Sequence, residues 1–138
     1  MSNYHGAWEG LGFQSVADSF ALSNAERAQV ELDYEILHAV YSDEDYSGVA
    51  FVVLRSRADG SLWEVNGSHC SCYALENLWD PESSCIESLS VRHAARPLLG
   101  LETVGVSWLH SLFQARDLED LIPLTDMGPI SRPRSGAL

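Results

Sequence analysis

The chain has 138 residues, 46% of them hydrophobic and 20% charged, and its 20 acidic side chains against 8 basic ones give a formal net charge of −12. This is the composition of one globular domain, long enough to bury a core without cross-links. It argues against a surface that grips nucleic-acid phosphates directly, and no apolar run approaches the ~20 residues that a membrane-crossing helix needs.

The opening residues MSNYHGAWEG hold no basic or apolar leader segment, so a cytoplasmic protein is expected. Phe13, Val16, Ala17, Phe20 and Ala21 recur at helical spacing and predict a first helix. Ser23 and Glu26 have the spacing of a capping box, which predicts a second short helix to about Leu32. From Tyr34 to Tyr41 the residues become apolar and β-rich, and Asp43-Glu44-Asp45 interrupts them as an acidic loop. Val49 to Arg55 is apolar on both faces, the pattern of a central strand covered on both sides. Ala58-Asp59-Gly60 is turn chemistry, and Leu62 to Val65 returns as the hairpin partner. These three runs predict an antiparallel meander.

Asp80-Pro81-Glu82 reads as a capped helix start, with Cys85, Ile86 and Leu89 as its buried stripe. Pro97 and Gly100 end that region. Val104, Trp108, Leu109, Leu112 and Phe113 predict a further helix, with Leu118, Leu121 and Ile122 extending its packing. Residues 126–138, rich in Pro, Gly, Ser and Arg, read as a flexible tail. The expected architecture is α+β: a single domain over 1–125, with a small three-stranded antiparallel sheet flanked by N-terminal and C-terminal helices packed on one face.

The most distinctive stretch is NGSHCSCYALENLWDPE, residues 66–82. The favoured reading is structural: Asn66-Gly67 makes a turn or bulge, Ser68 and His69 tie down loop backbone, and Tyr73, Trp63 and Trp79 cover them. A second reading is zinc, held by Cys70, Cys72, Cys85 and either His69 or His93. The Cys-x-Cys spacing is tighter than a usual zinc knuckle, and an extended segment would turn His69 away from the two thiols. A third is a thiol nucleophile, Cys70 or Cys72, served by His69, His93 or His110 and by Glu64 or Glu76. No phosphate loop, HExxH or GxSxG motif is present. No catalytic residue, metal or cofactor is therefore assigned. Three cysteines in a cytosolic chain fit free thiols or a metal site better than disulfides.

The expected partner-binding set is acidic: Glu31, Asp33, Glu35, Asp43, Glu44 and Asp45, with Asp117, Glu119 and Asp120 as a second site. Closely spaced carboxylates can enter the Lys/Arg groove of a nucleic-acid-binding protein in place of phosphates.

Tyr46-Ser47-Gly48, the run from Glu64 to Tyr73, and Trp79 to Glu82 together resemble a small uncharacterised protein family of bacteriophages and bacterial mobile elements. Ala74 stands where that family has glycine, and Asp80 where it has glutamate. The resemblance implies a phage or mobile-element context in a host bacterial cell, and no particular reaction. With the acidity, it leads to the expectation of an interaction protein that binds and inhibits a host defence or nucleic-acid-processing complex. Such a protein would act in the manner of an anti-CRISPR inhibitor, by occlusion or nucleic-acid mimicry. Its partner would be a basic protein or nucleoprotein, with no direct contact to nucleic acid or membrane, and a homodimer is allowed. The alternatives are a small Cys-centred enzyme or zinc protein, and a phage structural or assembly protein.

Overall fold

The β-rich runs in the middle of the chain pair into a continuous meander, and the other elements are built around it. The computed structural model describes residues 3–44, 47–70 and 74–112, with Glu44 as backbone only. In chain order these form β1 (Tyr4–Gly6), α1 (Phe13–Ser19), α2 (Asn24–Asp33), β2 (Tyr34–Glu44), β3 (Ser47–Ser56), β4 (Leu62–His69), β5 (Glu82–Ser84) and α3 (Ile86–Ala95). A last helical stretch occupies 107–112. The sheet order is β1-β2-β3-β4-β5, with β1 parallel to β2 and every other neighbour antiparallel.

The sheet is thus five-stranded and mixed, which corrects the expected three-stranded antiparallel sheet, although the class remains α+β. The meander β2-β3-β4 is its centre. The two added strands are short edges, Tyr-His-Gly and Glu-Ser-Ser, with no apolar alternation to announce them. Their pairing comes from the ladder offered by β2 and β4, and brevity is what suits an edge. Helices also cover both faces of the sheet, not one.

Those two faces follow from side-chain alternation. One face carries Ala39, Tyr41, Ala50, Val52, Leu54 and Val65 and is covered by Trp8, Val16, Ala17, Phe20, Val30 and Leu75. The other carries Val40, Phe51, Val53 and Leu62 and is covered by Leu89, Leu101, Val106 and Leu109. β3 supplies both cores, as its two-sided apolar pattern predicts. Each fully buried Leu, Val or Phe contributes about 1.5–3 kcal/mol of transfer free energy.

Local chemistry sets the helix boundaries. At the start of α2 the Ser23 hydroxyl accepts from the Glu26 amide at 3.1 Å, and the Ser23 amide donates to Glu26 Oε1 at 2.7 Å. The capping box is complete. α3 departs from expectation: Asp80-Pro81 is not its start, because residues 82–84 extend as β5. Cys85 caps α3 instead, its Sγ accepting from the Ser88 amide at 3.4 Å. Of the expected stripe only Leu89 is fully buried, while Cys85 is exposed. The tail 126–138 and the 125 boundary lie outside the described residues.

Candidate functional site

Alternation along β4 divides the distinctive motif between the two faces. Val65, Gly67 and His69 point to the face covered by α1 and α2; Glu64 and Asn66 point to the face covered by α3. Two separate constellations result.

On the first face, His69 closes the end of the sheet. It pairs with Gly48 in the β3–β4 register. Its Nδ1 lies 3.0 Å from the carbonyl of Cys70, and its Nε2 lies 2.7 Å from the Tyr41 hydroxyl. A carbonyl only accepts, so Nδ1–H donates to it, and the neutral ring's Nε2 then accepts from the Tyr41 O–H. The ring must cross β3 to reach Tyr41 on β2, and the crossing is at Gly48. A Cβ at Gly48 would sit 2.4 Å from His69 Nε2 and 2.9 Å from Tyr41 Cε1. Burial, then the carboxylates of Asp43 and Glu76, pushes the Tyr41 phenol above its ordinary pKa, so it stays a donor.

Four groups of the thiol reading, His69, His93, Glu76 and Glu64, are engaged elsewhere. His69 is held by Tyr41 and the Cys70 carbonyl. His93 Nδ1 accepts from the Leu98 amide at 3.1 Å and anchors the turn after α3. Glu76 accepts from the Ala74 amide at 2.8 Å. Glu64 is paired with Arg92 and, at 2.9 Å, with the Asn66 amide. Cys70 is exposed beside His69, and His110 is exposed on the last helical stretch.

Nor does the sheet assemble the zinc set. Cys85 follows Ser84, which pairs with Leu62 at the start of β4, whereas His69 and Cys70 stand at its end. The length of β4 puts roughly 20 Å between them. Ligands of one zinc ion each sit about 2.0–2.3 Å from it. Cys72 lies outside the described residues, and among those described no group of three or more His, Cys, Asp or Glu side chains could hold a metal ion.

The acidic set is placed at two ends. Glu31 and Asp33 are exposed at the end of α2, and Asp43 is exposed near the far end of β2. Ten residues of strand put roughly 30 Å between Asp33 and Asp43. Glu35 is half-buried opposite Arg55 in the β2–β3 register. The Glu44 side chain, Asp45, Asp117, Glu119 and Asp120 lie outside the described residues. Asp33 shares a surface cleft with Asp59, Tyr34, Trp63 and Leu32, and Leu32 is 71% exposed. Asp43 and Glu76 instead sit near Tyr41.

On the α3 face, Glu64 is 5% exposed within β4. Burial raises its pKa, but the donors Arg92 and Asn66 outweigh burial and hold its carboxyl below the usual range. Neither Arg92 nor Asn66 is among the residues expected to bind a partner. The signal lay in Glu64 itself: an acid in a strand flanked by Trp63 and Val65 needs a cation or hydrogen-bond donors where it is buried.

His38, on β2, is a second missed group. It is 1% exposed, and its Nε2–H donates to the Leu99 carbonyl at 3.2 Å. Its Nδ1 is buried without a hydrogen-bond partner. Burial drives its pKa down to about 4, opposed by the Leu99 bond.

Comparison of the chain with protein-family models, curated proteins and solved structures finds no match. Among the described residues no helix is long and apolar enough to cross a membrane.

Proposed function

We propose that this chain is a non-enzymatic interaction protein that docks on a basic partner through its acidic surface. The observation that carries this is the unequal fate of its charges. Arg27 pairs with Asp18 at 2.7 Å, Arg92 pairs with Glu64, and Arg57 is turned onto the carbonyl of Glu31 at 2.9 Å. Meanwhile Glu31, Asp33, Asp43, Asp59, Glu76 and Asp80 remain on the surface. Such a field speeds encounter with a cationic partner and opposes a nucleic-acid backbone.

The docking site is the corner where α2 meets β2. There Leu32 projects as an apolar anchor in a cleft with Asp33, Asp59 and Arg57, and Glu31 precedes it on α2. Apolar anchors surrounded by polar groups are the usual source of interface energy. Residues 46–82 support a phage or mobile-element context by their resemblance, so the partner is a basic defence or nucleic-acid-handling complex in a bacterial host's cytoplasm, inhibited by occlusion.

The test is affinity capture from host lysate at low salt with a rising salt elution, run on the native chain, Glu31→Lys/Asp33→Lys, and Asp43→Lys. One basic complex should be retained by the native chain and by Asp43→Lys, released at moderate salt, and lost with the double variant. Retention by the double variant, or release indifferent to salt, sinks the reading.

A further inference from the structure

Beside α3 the sheet carries a groove that the acidic docking surface does not use. It has a volume of about 650 Å³ and lies between Ser42, Val49 and Phe51 on the strands and Arg92, Arg96 and Leu98 on the helix and the turn after it. That volume suits a small molecule, and ligand sites combine apolar walls with a few convergent polar groups. Phe51 belongs to the core, yet Val49, two residues before it on β3, is 48% exposed. The apolar sheet surface therefore continues into the open groove.

The polar wall is oriented from beneath. Buried Glu64 takes the Arg92 guanidinium on Oε2 and the Asn66 amide on Oε1. Both carboxylate oxygens are used, and both donors have capacity left. An Asn amide has a second N–H, and a guanidinium has five. The Nε of Arg92 is buried with no hydrogen-bond partner. Arg96, one helical turn further on, lines the same groove, is exposed, and makes no ion pair among the described residues. In a chain of net charge −12, two arginines and an asparagine thus line one groove with an apolar floor. Solvating an acidic surface does not require that. Glu102 also lines the groove, where it repels a second acidic group and accepts from an amine or hydroxyl.

We propose that this groove binds a small organic anion, with a carboxylate or phosphate head between Arg92 and Arg96, a hydrogen bond from Asn66, and an apolar body on Val49 and Phe51. Its pairing with Glu64 leaves Arg92 directional but nearly neutral, so Arg96 supplies most of the charge attraction. Arginine matches both oxyanions bidentately. The body separates this ligand from a bare ion.

An amide-resolved NMR titration of the full chain tests the proposal, using phenylphosphate, phenylacetate, inorganic phosphate and benzyl alcohol as probes. At least one aryl anion should give saturable shifts centred on Asn66, Arg96 and Leu98, and the tighter of the two identifies the head group. Benzyl alcohol and inorganic phosphate should each bind at least about tenfold more weakly than that anion. Arg96→Ala should weaken the anion about tenfold with the remaining spectrum intact. Val49→Glu, at an exposed position on the floor, should abolish binding. Unsaturable shifts from both aryl anions, equal binding of benzyl alcohol or inorganic phosphate, or unchanged affinity in both variants would overturn the proposal.

Discussion

Gly48 and His69 show how one missing methyl group sets a contact between three strands. The ring of His69 lies over Gly48 and bonds Tyr41 beyond it. Gly48→Ala places a Cβ where the ring now passes, so ring or strand must move. The expected cost is about 1–3 kcal/mol, the usual range for overpacking, read as a lower urea midpoint. In Tyr41→Phe, Gly48→Ala should cost less, because the hydrogen bond is already gone. Equal costs in both backgrounds would mean that the crossing contributes nothing. His38 carries a second prediction at this scale. It is buried neutral, with His5 at 5.1 Å between ring centroids and Glu102 as the nearby acid. Its folded pKa of about 4 lies below the ordinary 6.5, so between those values the unfolded chain binds a proton that the folded chain does not. Stability from this group is complete above pH 6.5, falls as pH drops toward 4, and levels off below that. The loss over that window amounts to roughly 3 kcal/mol. His38→Gln, which keeps a donor for Leu99, should flatten that part of the urea midpoint–pH curve. A curve unchanged by the substitution would place the acid sensitivity elsewhere. Space is tight here too: a Cβ at Gly100, which has φ +79°, would lie 2.8 Å from His38 Nε2.

At the scale of elements, what could be read in the sequence was local. The capping box at Ser23 and Glu26 acts within four residues, and β3 announces itself by an unbroken apolar run. β1 and β5 were illegible because a three-residue strand exists only through its neighbour's ladder. Asp80-Pro81-Glu82 carries a helix-start signal that the chain overrides. Register against β4 draws residues 82–84 into the sheet, and the helix waits for Cys85. Site residues divide in the same way. The exposed acids were legible as residues, but their separation was not, because it depends on β2 being one strand of eleven residues instead of a strand and a loop. The contacts of His69 with Tyr41 and of Glu64 with Arg92 each span 28 residues, and no local pattern encodes them. The motif from Glu64 to Cys72 was conspicuous for its thiols. In the fold its Glu, Asn and His do the connecting: Glu64 to Arg92 on α3, Asn66 to Glu64, and His69 to β2.

At the scale of the whole molecule, Arg27 and Arg92 pair with Asp18 and Glu64 of this chain, while the remaining surface carboxylates repel one another. Stability and partner binding should therefore respond to salt in opposite directions. Raising monovalent salt from ~0.01 M to ~0.1 M shortens the screening length from about 30 Å to about 10 Å. The longer value is comparable to the distance along β2 between Asp33 and Asp43, so at low salt the two acidic ends still repel. The urea midpoint of the isolated chain should rise over that range as this repulsion is screened. Retention on the basic partner should weaken over the same range, because its attraction is screened too. Glu31→Lys/Asp33→Lys separates the two effects: it relieves self-repulsion and should raise the low-salt midpoint even as it abolishes docking. A midpoint that falls with salt would mean that the ion pairs Arg27–Asp18 and Arg92–Glu64 outweigh the surface repulsion. The net charge would then serve the fold and not a partner, and the acidic corner would lose its claim as the docking site.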